Sequence, residues 1–428
     1  MRAARPGPIR SGDAPRLPEG GWRCNSGTTR TKALHDLSLP ARPVPGLSPD
    51  PARPAATGAA NGAAPDAAPA GSIGVVVVAY DAGEALLDCL ESLLAAAGTP
   101  GAPDLRVLVV DNASPDGTLG RLEGWASGAV PWDGADGSRD LPFAPRPRGP
   151  VRIDARDLAA AGRHASLGTA AEGVVGFLQA GTNGGFAAGV NRGLETFRAM
   201  PEVDWFWILN PDAACEAGTP AALARAARAA EAAGGFAVIG GRTFYADPPL
   251  MIQTDGGRVD LATGRLLPFN LGATGRDVPG PEEGALEYVP GCHMLASRAF
   301  LDRAGLMPED YFLYYEEVDW CFRRGDLPLI WTAGAPVHHV SGASIGSATL
   351  ESGPSALAAY WMTRSRLRFV RRWRPRALPK AAAYSAFKAA QMARRGNRAG
   401  AAAALRALAG RMPAAAGLDA GPATGAGP

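Results

Sequence analysis

Short apolar runs alternate with stretches of helical periodicity along the middle of the chain. Residues 73–79 form a continuous apolar run typical of a parallel strand covered on both faces, and residues 105–110 form a second run. Between them, leucines recur at helical spacing from residue 84 to residue 97, and Gly98 and Pro100 end the pattern. A strand, a helix and a strand with short connections predict a βαβ unit, and hence a parallel sheet with a right-handed crossover.

The same alternation continues as far as residue 332. Further strands are predicted at 173–178, 205–209, 236–243 and 328–332. Further helices are predicted after the glycine-rich entry at 182–193, at about 218–233, and with acidic residues 316–319 in the first turn. A β-hairpin is expected within 250–289, and residues 288–297 are expected to lead into a short helix that ends near Gly305. This order predicts an α/β fold, with a mostly parallel, Rossmann-like sheet flanked by helices over residues 71–350.

Composition changes at both ends of this predicted domain and once inside it. Residues 1–70 are rich in Ala, Pro, Gly and Arg without an apolar period, so we expect a disordered extension or a reading frame assigned too early. A Gly-, Pro-, Asp- and Arg-rich stretch at about 127–165 predicts a surface insert. Residues 351–412 are predicted to form a helical C-terminal segment, and 413–428 a disordered tail.

Charge and cysteine usage exclude several classes of protein. The 43 basic and 41 acidic residues nearly balance, so no overall field favours nucleic acid as a partner. The five cysteines lack C-x-x-C spacing, which favours a reducing cytoplasm and no zinc site. No apolar run is long enough for a spanning helix, and the arginines near the N-terminus precede no apolar core of a secretory signal.

The stretch that ends the strand at 205–209 carries the first candidate chemistry. Asn210 and Asp212 follow the strand, and Pro211 between them cannot donate to a β-ladder, so their side chains are expected on a loop. Ligands and metal ions bind at this carboxyl edge in open α/β sheets. Taken alone, however, the three residues are better explained as an Asn-Pro-Asp turn without chemistry.

Other predicted strands also end in polar residues. Tyr80 and Asp81 follow the first strand, Asp111 ends the second, and a glycine-rich stretch at 182–193 opens a helix. Those glycines would permit close approach to a ligand phosphate or tight helix–strand packing, and the two explanations are about equally good. Neither G-x-G-x-x-G nor a P-loop motif is present, so nucleotide binding would need carboxylates and a metal.

Two later segments also carry charge in a pattern. Glu316, Glu317 and Asp319 stand in the first turn of a predicted helix, where the helix dipole explains one acidic residue well and three poorly. Aromatic and aliphatic residues from Tyr360 to Trp373 alternate with arginines up to Arg376. This pattern fits an anionic membrane surface and a helix packed on the domain about equally well.

Together these motifs resemble the family 2 glycosyltransferases of the GT-A fold, specifically their rhamnosyltransferase-like branch. The residues that carry the resemblance are V-V-V-A-Y-D at 76–81, V-V-D-N-A-S-P-D-G at 109–117, T-N-G-G-F-A-A-G-V-N-R-G at 182–193, L-N-P-D at 209–212, Y-Y-E-E-V-D-W-C-F-R at 314–323 and H-H at 338–339. Each motif alone is weak, but six in the family's order make the resemblance specific over about 73–375.

The resemblance implies a nucleotide-sugar donor held by a divalent metal, Mg²⁺ or Mn²⁺. Asp111 matches the residue that reads the base, and Asn210 and Asp212 match the two ends of the D-x-D metal motif, with Asn in place of the first Asp. One of His338 and His339 would complete the metal's ligands, and His338 has the better spacing to Ser341. The other implied donor-binding residues are Tyr80, Asp81, Asn183, Gly185, Phe186 and Asn191.

The resemblance also implies an inverting transfer with one carboxylate base. By position this base is Glu317, or Asp319 if the helix is rotated, while Glu316 would cap the helix or bind the acceptor. The implied activity transfers a sugar such as rhamnose from dTDP-rhamnose to a glycan or lipid-linked acceptor in cell-envelope polysaccharide synthesis. A UDP-sugar donor and a catalytically inactive sugar-nucleotide-binding scaffold are the alternatives. The expected location is cytoplasmic, with peripheral contact at the inner membrane face, and the oligomeric state is left open.

Overall fold

The computed structural model describes residues 71–134, 139–146, 149–156, 166–340 and 353–412. The disorder predicted for residues 1–70 and 413–428 lies outside these ranges, as does Ser341.

The described chain forms a series of strands and helices with one large sheet. In chain order the elements are β1 Ser72–Ala79, α1 Ala85–Ala97, β2 Asp104–Asp111, α2 Thr118–Ser127, β3 Arg152–Arg156, β4 Val174–Gln179, α3 Phe186–Arg198, β5 Trp205–Leu209, β6 Ala213–Cys215, α4 Thr219–Ala232, β7 Val238–Tyr245, β8 Ile252–Thr254, β9 Gly257–Asp260, β10 Arg265–Pro268, β11 His293–Ser297, α5 Arg298–Ala304, α6 Glu316–Phe322, β12 Leu329–His339, α7 Ala356–Trp373, α8 Leu378–Arg394 and α9 Arg398–Leu408.

The sheet has the strand order β3-β4-β2-β1-β5-β11-β7-β12-β6, with β8 paired to β7. Its first five strands are parallel, and β11 runs antiparallel to both β5 and β7. Parallel pairing aligns Ala79 with Asp111 and Asp111 with Gln179. The carboxyl ends of these strands therefore meet at one edge, as the sequence predicts.

Alternate side chains of β1 enter two apolar cores on opposite faces of the sheet. Val75 and Val77 pack in the core that includes α1, whereas Val76 and Val78 pack in the core that includes α3. A Cβ at Gly193 would lie 2.5 Å from a methyl carbon of Val76, so this glycine allows α3 to approach the sheet closely. The predicted fold class, a mostly parallel sheet flanked by helices with a helical C-terminal segment, is confirmed.

Three strands were not predicted from the sequence. β11, expected as part of a connection, lies near the centre of the sheet, and β6 follows the Asn-Pro-Asp turn directly. β3 lies within the predicted insert and forms one edge of the sheet. These strands are three to five residues long, so their own sequences carry too few positions to show a period.

The C-terminal helices pack on the domain through one face of α7. Phe369 and Val370 are fully buried in the same core as Tyr315 and Trp320. The packing role considered for the Arg/aromatic segment thus applies to its apolar face, while Arg371, Arg372, Arg374 and Arg376 are exposed. In the ranges that the structure describes, no helix combines the length and the apolar character needed to cross a bilayer.

Candidate functional site

The end of β5 and the end of β12 bring Asp212 and His339 together. The pairing of β6 with β12 aligns Ala213 with His339, which places the imidazole beside the preceding turn. His339 Nε2 lies 3.0 Å from Asp212 Oδ1 and 3.1 Å from Asn210 Nδ2. Asp212 and His339 are both buried, so the cluster is shielded from solvent on most sides.

The donors in this cluster fit a divalent cation. His339 Nδ1 lies 2.8 Å from Gln253 Oε1, and donation of its proton there would leave the Nε2 lone pair free to bind an ion beside Asp212. Within the described residues, no group of three or more His, Cys, Asp or Glu side chains is arranged to hold a metal. Asp212 and His339 therefore fit a hard cation that takes further oxygen ligands from a bound molecule.

His338 points away from Asp212 because successive side chains of a strand alternate between its faces. Its Nε2 lies 2.9 Å from Glu216 Oε1, and its ring is 5.3 Å from that of Phe244. Burial acts to raise the pKa of Glu216, but hydrogen bonds from His338 and Arg276 outweigh it and hold that pKa below its usual value. Of the two histidines, the structure places His339 at the candidate metal site.

The carboxyl ends of β1 and β2 supply a second group of polar side chains. Asp111 is buried, and both its carboxylate oxygens lie 3.3 Å from the Ser114 backbone nitrogen. Asp81 follows β1 with a φ of 49°, and its backbone N–H donates to Ser114 Oγ at 3.1 Å. Asp81 and Asp111 thus both contact Ser114 in the loop that follows β2, and Tyr80 directly precedes Asp81.

Asn112 and Asn183 tie this loop to the start of α3. Asn112 Nδ2 donates to Asn183 Oδ1 at 3.0 Å and to the Gly185 carbonyl at 2.9 Å. Gly185 has a φ of 89°, and a Cβ there would lie 2.3 Å from the Phe312 carbonyl oxygen. The Phe186 N–H donates to that same carbonyl at 3.1 Å. Gly185 and Phe186 therefore join the loop after β2 to the segment before α6.

Asn191 has a different position from the other predicted donor-binding residues. Its Nδ2 donates to the Met307 carbonyl and to Glu309 Oε1, both at 2.8 Å, and its Oδ1 accepts from the Met307 N–H at 2.9 Å. The amide is buried and engaged on both sides. In this structure Asn191 fastens α3 to the segment before α6.

Glu317 is the second residue of α6, and the helix follows Tyr314 and Tyr315, whose φ angles are 65° and 70°. A Cβ at Gly291 would lie 3.6 Å from Glu317 Cβ, so the acid faces the turn before β11. Its Oε2 is buried without a hydrogen-bond partner among the described residues. Burial raises the pKa of Glu317 to about 7, although backbone N–H groups at the start of α6 act in the opposite direction.

The turn that carries Gly291 and Cys292 lies between the Asn-Pro-Asp turn and the start of α6. Burial is the main reason that the pKa of Cys292 is raised to about 12, and the charges of Asp212 and Glu317 both add to it. The Cys292 carbonyl also accepts from the Asn210 N–H at 3.1 Å. The candidate metal ligand and the candidate base therefore lie on either side of the turn that carries Cys292.

Asp319, the alternative base, is fully buried and engaged with other side chains. Tyr311 Oη donates to Asp319 Oδ2 at 2.8 Å, and Arg323 Nε donates to Oδ1 at 2.7 Å. Arg372 lies 3.6 Å from the same carboxylate. This geometry favours Glu317, whose carboxylate has an unpartnered oxygen, over Asp319 as a proton acceptor.

Several residues of the site were not predicted from the sequence. Gln253, which orients His339, lies in a segment without a recognisable motif, and Cys292 precedes an unpredicted strand. Asn112 directly follows Asp111 at the end of β2, and this position is a sequence signal for a further candidate site residue. Arg323, four residues after Asp319, could have indicated that Asp319 forms an ion pair within its own helix.

Comparison with known proteins supports a family 2 glycosyltransferase over part of the chain. The family model described as Glycosyl transferase family 2 matches residues 74–134, which include most of β1, all of β2 and the Asp111 loop. No curated protein matches the chain.

Three solved structures illustrate a remote likeness. TarS from S. aureus is 14% identical with a TM-score of 0.38, and the match covers 70% of this chain and 39% of TarS. GalNAc-T7 with UDP, GalNAc and Mn²⁺ is 12% identical with a TM-score of 0.43, covering 75% of this chain and 51% of that one. The mannosyltransferase PcManGT from Pyrobaculum calidifontis, in complex with GDP-Man and Mn²⁺, is 16% identical with a TM-score of 0.41, covering 78% and 86%. These TM-scores are too low to support an inference about substrate.

Proposed function

We propose that the protein is an inverting, metal-dependent family 2 glycosyltransferase of the GT-A fold, which transfers a sugar from a nucleotide-sugar donor to an acceptor hydroxyl. The observation that carries this proposal is the arrangement of Asp212, His339 and Glu317 around the turn that holds Gly291 and Cys292. This cluster stands at the carboxyl edge of a sheet whose first strands match the family model.

Each residue has a distinct part in the proposed transfer. Asp111 and its loop would hold the base of the donor, and Asp212 and His339 would hold a divalent cation. When bound, that cation offsets the negative charge that develops on the departing diphosphate. Glu317 accepts the proton of the acceptor hydroxyl while the new bond to the anomeric carbon forms and the bond to the diphosphate breaks. Attack from the face opposite the leaving group inverts the anomeric centre.

The proposed donor is dTDP-rhamnose, and the proposed acceptor is a glycan or lipid-linked saccharide of the cell envelope. Both rest on the resemblance of the six sequence motifs to the rhamnosyltransferase-like branch. A UDP-sugar donor is the second candidate. We further propose peripheral contact at the inner membrane face through the segment from Tyr360 to Arg376, where the arginines favour anionic lipid.

The experiment that tests this function presents the purified full chain with a panel of nucleotide sugars, with and without Mn²⁺. Release of a nucleoside diphosphate together with a new glycosidic product is the expected result. Donor binding without turnover of any nucleotide sugar would instead identify an inactive sugar-nucleotide-binding scaffold.

The metal site is tested by matched variants of the two neighbouring histidines. Asp212→Ala and His339→Ala are expected to abolish Mn²⁺-dependent donor binding, because each removes a proposed ligand of the ion. His338→Ala removes an imidazole from the other face of the strand and is expected to retain it. Unchanged donor affinity in Asp212→Ala with Mn²⁺ present would contradict the metal role.

A further inference from the structure

A cavity of about 580 Å³ lies between α7, α8 and α9, outside the cluster around Cys292. This volume is typical of small-molecule sites. Its lining is Asp310, Arg364, Leu367, Arg368, Arg371, Arg372, Leu378, Ala382, Ala407 and Leu408. The lining thus combines guanidinium groups with an apolar wall.

The four arginines of this cavity follow one face of α7. Residues 364, 368, 371 and 372 are spaced three or four apart or adjacent, so they form a basic ladder roughly 12 Å long at 1.5 Å per residue. Arg368 pairs with Asp310, and Arg372 lies 3.6 Å from Asp319. Arg371 forms no ion pair with any acidic residue in the described part of the chain. The cavity therefore has more positive than negative charge.

The rest of the C-terminal segment has the same charge bias. Residues 353–412 contain 12 arginines and 2 lysines and no acidic residue. Phe387 on α8 and Leu405 on α9 are 60% and 52% exposed, so the same helices also present apolar side chains to their surroundings. A small inorganic anion would use only the guanidinium groups. The leucines and alanines of the cavity indicate a ligand with an apolar part as well.

We propose that this cavity binds the phosphate head group of an anionic membrane lipid, with the first carbons of the lipid chain against Leu367, Leu378 and Leu408. The inference deepens the proposed membrane contact and rests on it, but it does not depend on sugar transfer. Because Arg368 and Arg372 also contact Asp310 and Asp319, a lipid bound here lies beside α6, which carries Glu317. The active site is thereby held close to the membrane surface.

The test measures binding of the full chain to vesicles, with no sugar nucleotide present, so its outcome is independent of the proposed activity. Wild-type protein should bind phosphatidylglycerol-containing vesicles and not pure phosphatidylcholine vesicles. Arg364→Gln/Arg371→Gln should weaken this binding about tenfold or more, since it removes two of the four guanidinium groups that would contact the phosphate. The matched control, Arg394→Gln/Arg395→Gln, removes the same charge outside the cavity and should change binding far less.

The apolar wall is tested by Leu408→Gln, which should weaken vesicle binding while circular dichroism shows an unchanged fold.

Three results would overturn the proposal. Equal losses in the two double variants would show diffuse attraction by the whole basic segment, and equal binding to neutral vesicles would show apolar insertion without phosphate recognition. Displacement of the protein from vesicles by low millimolar inorganic phosphate would show a site for the free anion and not for a lipid.

Discussion

Glu317 is the residue whose chemistry depends most directly on its surroundings. One carboxylate oxygen lies buried without a hydrogen-bond partner among the described residues, and burial raises its pKa to about 7. The neighbouring Glu316 is buried, and burial together with the charge of Glu317 raises its pKa as well. A carboxylate with a pKa near neutrality is a stronger base than an exposed one, which suits a group that must take a proton from a hydroxyl.

The pH dependence of transfer should report this raised pKa. Glu317 is protonated and inactive well below pH 7, so kcat/KM is expected to rise with pH through about 7. Glu317→Gln keeps the shape of the side chain but cannot accept a proton. Its turnover should fall roughly 10²–10⁴-fold while donor affinity, measured by calorimetry, is retained.

Asp319→Asn is the matched comparison for the Glu317 variant. It weakens the buried contacts with Tyr311 and Arg323, so a lower melting temperature is expected before any change in the chemical step. Normal turnover in Glu317→Gln together with slow transfer in a folded Asp319→Asn would identify Asp319 as the base. If neither variant is slowed, the acidic cluster is structural.

His293 predicts a pH dependence of stability. Its Nδ1 accepts from Trp207 Nε1 at 2.9 Å, its Nε2 lies 3.0 Å from the Ala335 carbonyl, and burial lowers its pKa to about 4 from 6.5. Between pH 4 and pH 6.5, His293 is protonated in the unfolded chain and neutral in the folded chain. The free energy of unfolding therefore falls as the pH drops from 6.5 to 4. The loss from this residue approaches about 3 kcal/mol at 1.36 kcal/mol per pKa unit.

Urea unfolding at a series of pH values measures this effect. The free energy of unfolding of His293→Gln, whose side chain does not titrate, should depend less on pH over this range than that of the wild type. Equal slopes in the two proteins would show that His293 is not the titrating group.

At the scale of elements, strand pairing and helix packing decide which side chains reach the site. β12 carries both histidines, and its pairing with β6 brings His339 next to Asp212. α7 fastens the segment before α6, since Ser365 Oγ donates to the Leu313 carbonyl at 2.8 Å and Arg366 Nε donates to Tyr315 Oη at 3.2 Å. The C-terminal helices therefore support the conformation that presents Glu317.

The turn between β4 and α3 gives a prediction with an internal control. Gly185 combines φ 89° and ψ 176°, a conformation nearly restricted to glycine, with a Cβ position only 2.3 Å from the Phe312 carbonyl oxygen. Gly181 has a φ of 75°, and no neighbouring atom lies within 4 Å of its Cβ position. Gly181→Ala should cost about 1–2 kcal/mol from backbone strain alone.

Gly185→Ala should cost more than the control by about 1–3 kcal/mol, because the added methyl group forces the Phe312 segment to move. Donor affinity should fall in this variant and be retained in Gly181→Ala. Chemical denaturation compares the two stabilities directly. Equal losses would mean that the contact between Gly185 and Phe312 does not constrain the site.

At the scale of the whole molecule, the sheet and the C-terminal helices share a core that lies within residues 71–412. Phe369 and Val370 of α7, together with Ala381 of α8, belong to the same apolar cluster as Val76 on β1. The helical segment is therefore part of the folded domain. Most of its arginines are exposed, whereas Arg366 is buried against the domain.

Removal of residues 1–70 should leave fold and activity unchanged. The prediction follows from their composition, which lacks the apolar period needed to build a core. A chain starting at residue 71 should show the wild-type melting temperature and the wild-type rate of sugar transfer. Loss of solubility or of activity in that truncated protein would contradict it.

The sequence by itself determined the parallel half of the sheet and the polar residues at its carboxyl edge. Continuous apolar runs such as 73–79 reveal buried strands because burial on both faces needs no alternation, and polar residues directly after such runs must lie at strand ends. Helical spacing likewise predicted α1, α3, α6 and the C-terminal helices. All of these are local patterns, readable within a few turns of chain.

Only the tertiary structure decided which of these candidates meet. His339 faces Asp212 across 127 positions of sequence, whereas His338, one residue earlier, faces Glu216. Hydrogen bonding distinguishes the two candidate bases. Glu317 has a buried carboxylate oxygen without a partner among the described residues, whereas Asp319 accepts from Tyr311 and Arg323. Strand register and the depth of burial depend on contacts between distant segments, and no local period records them.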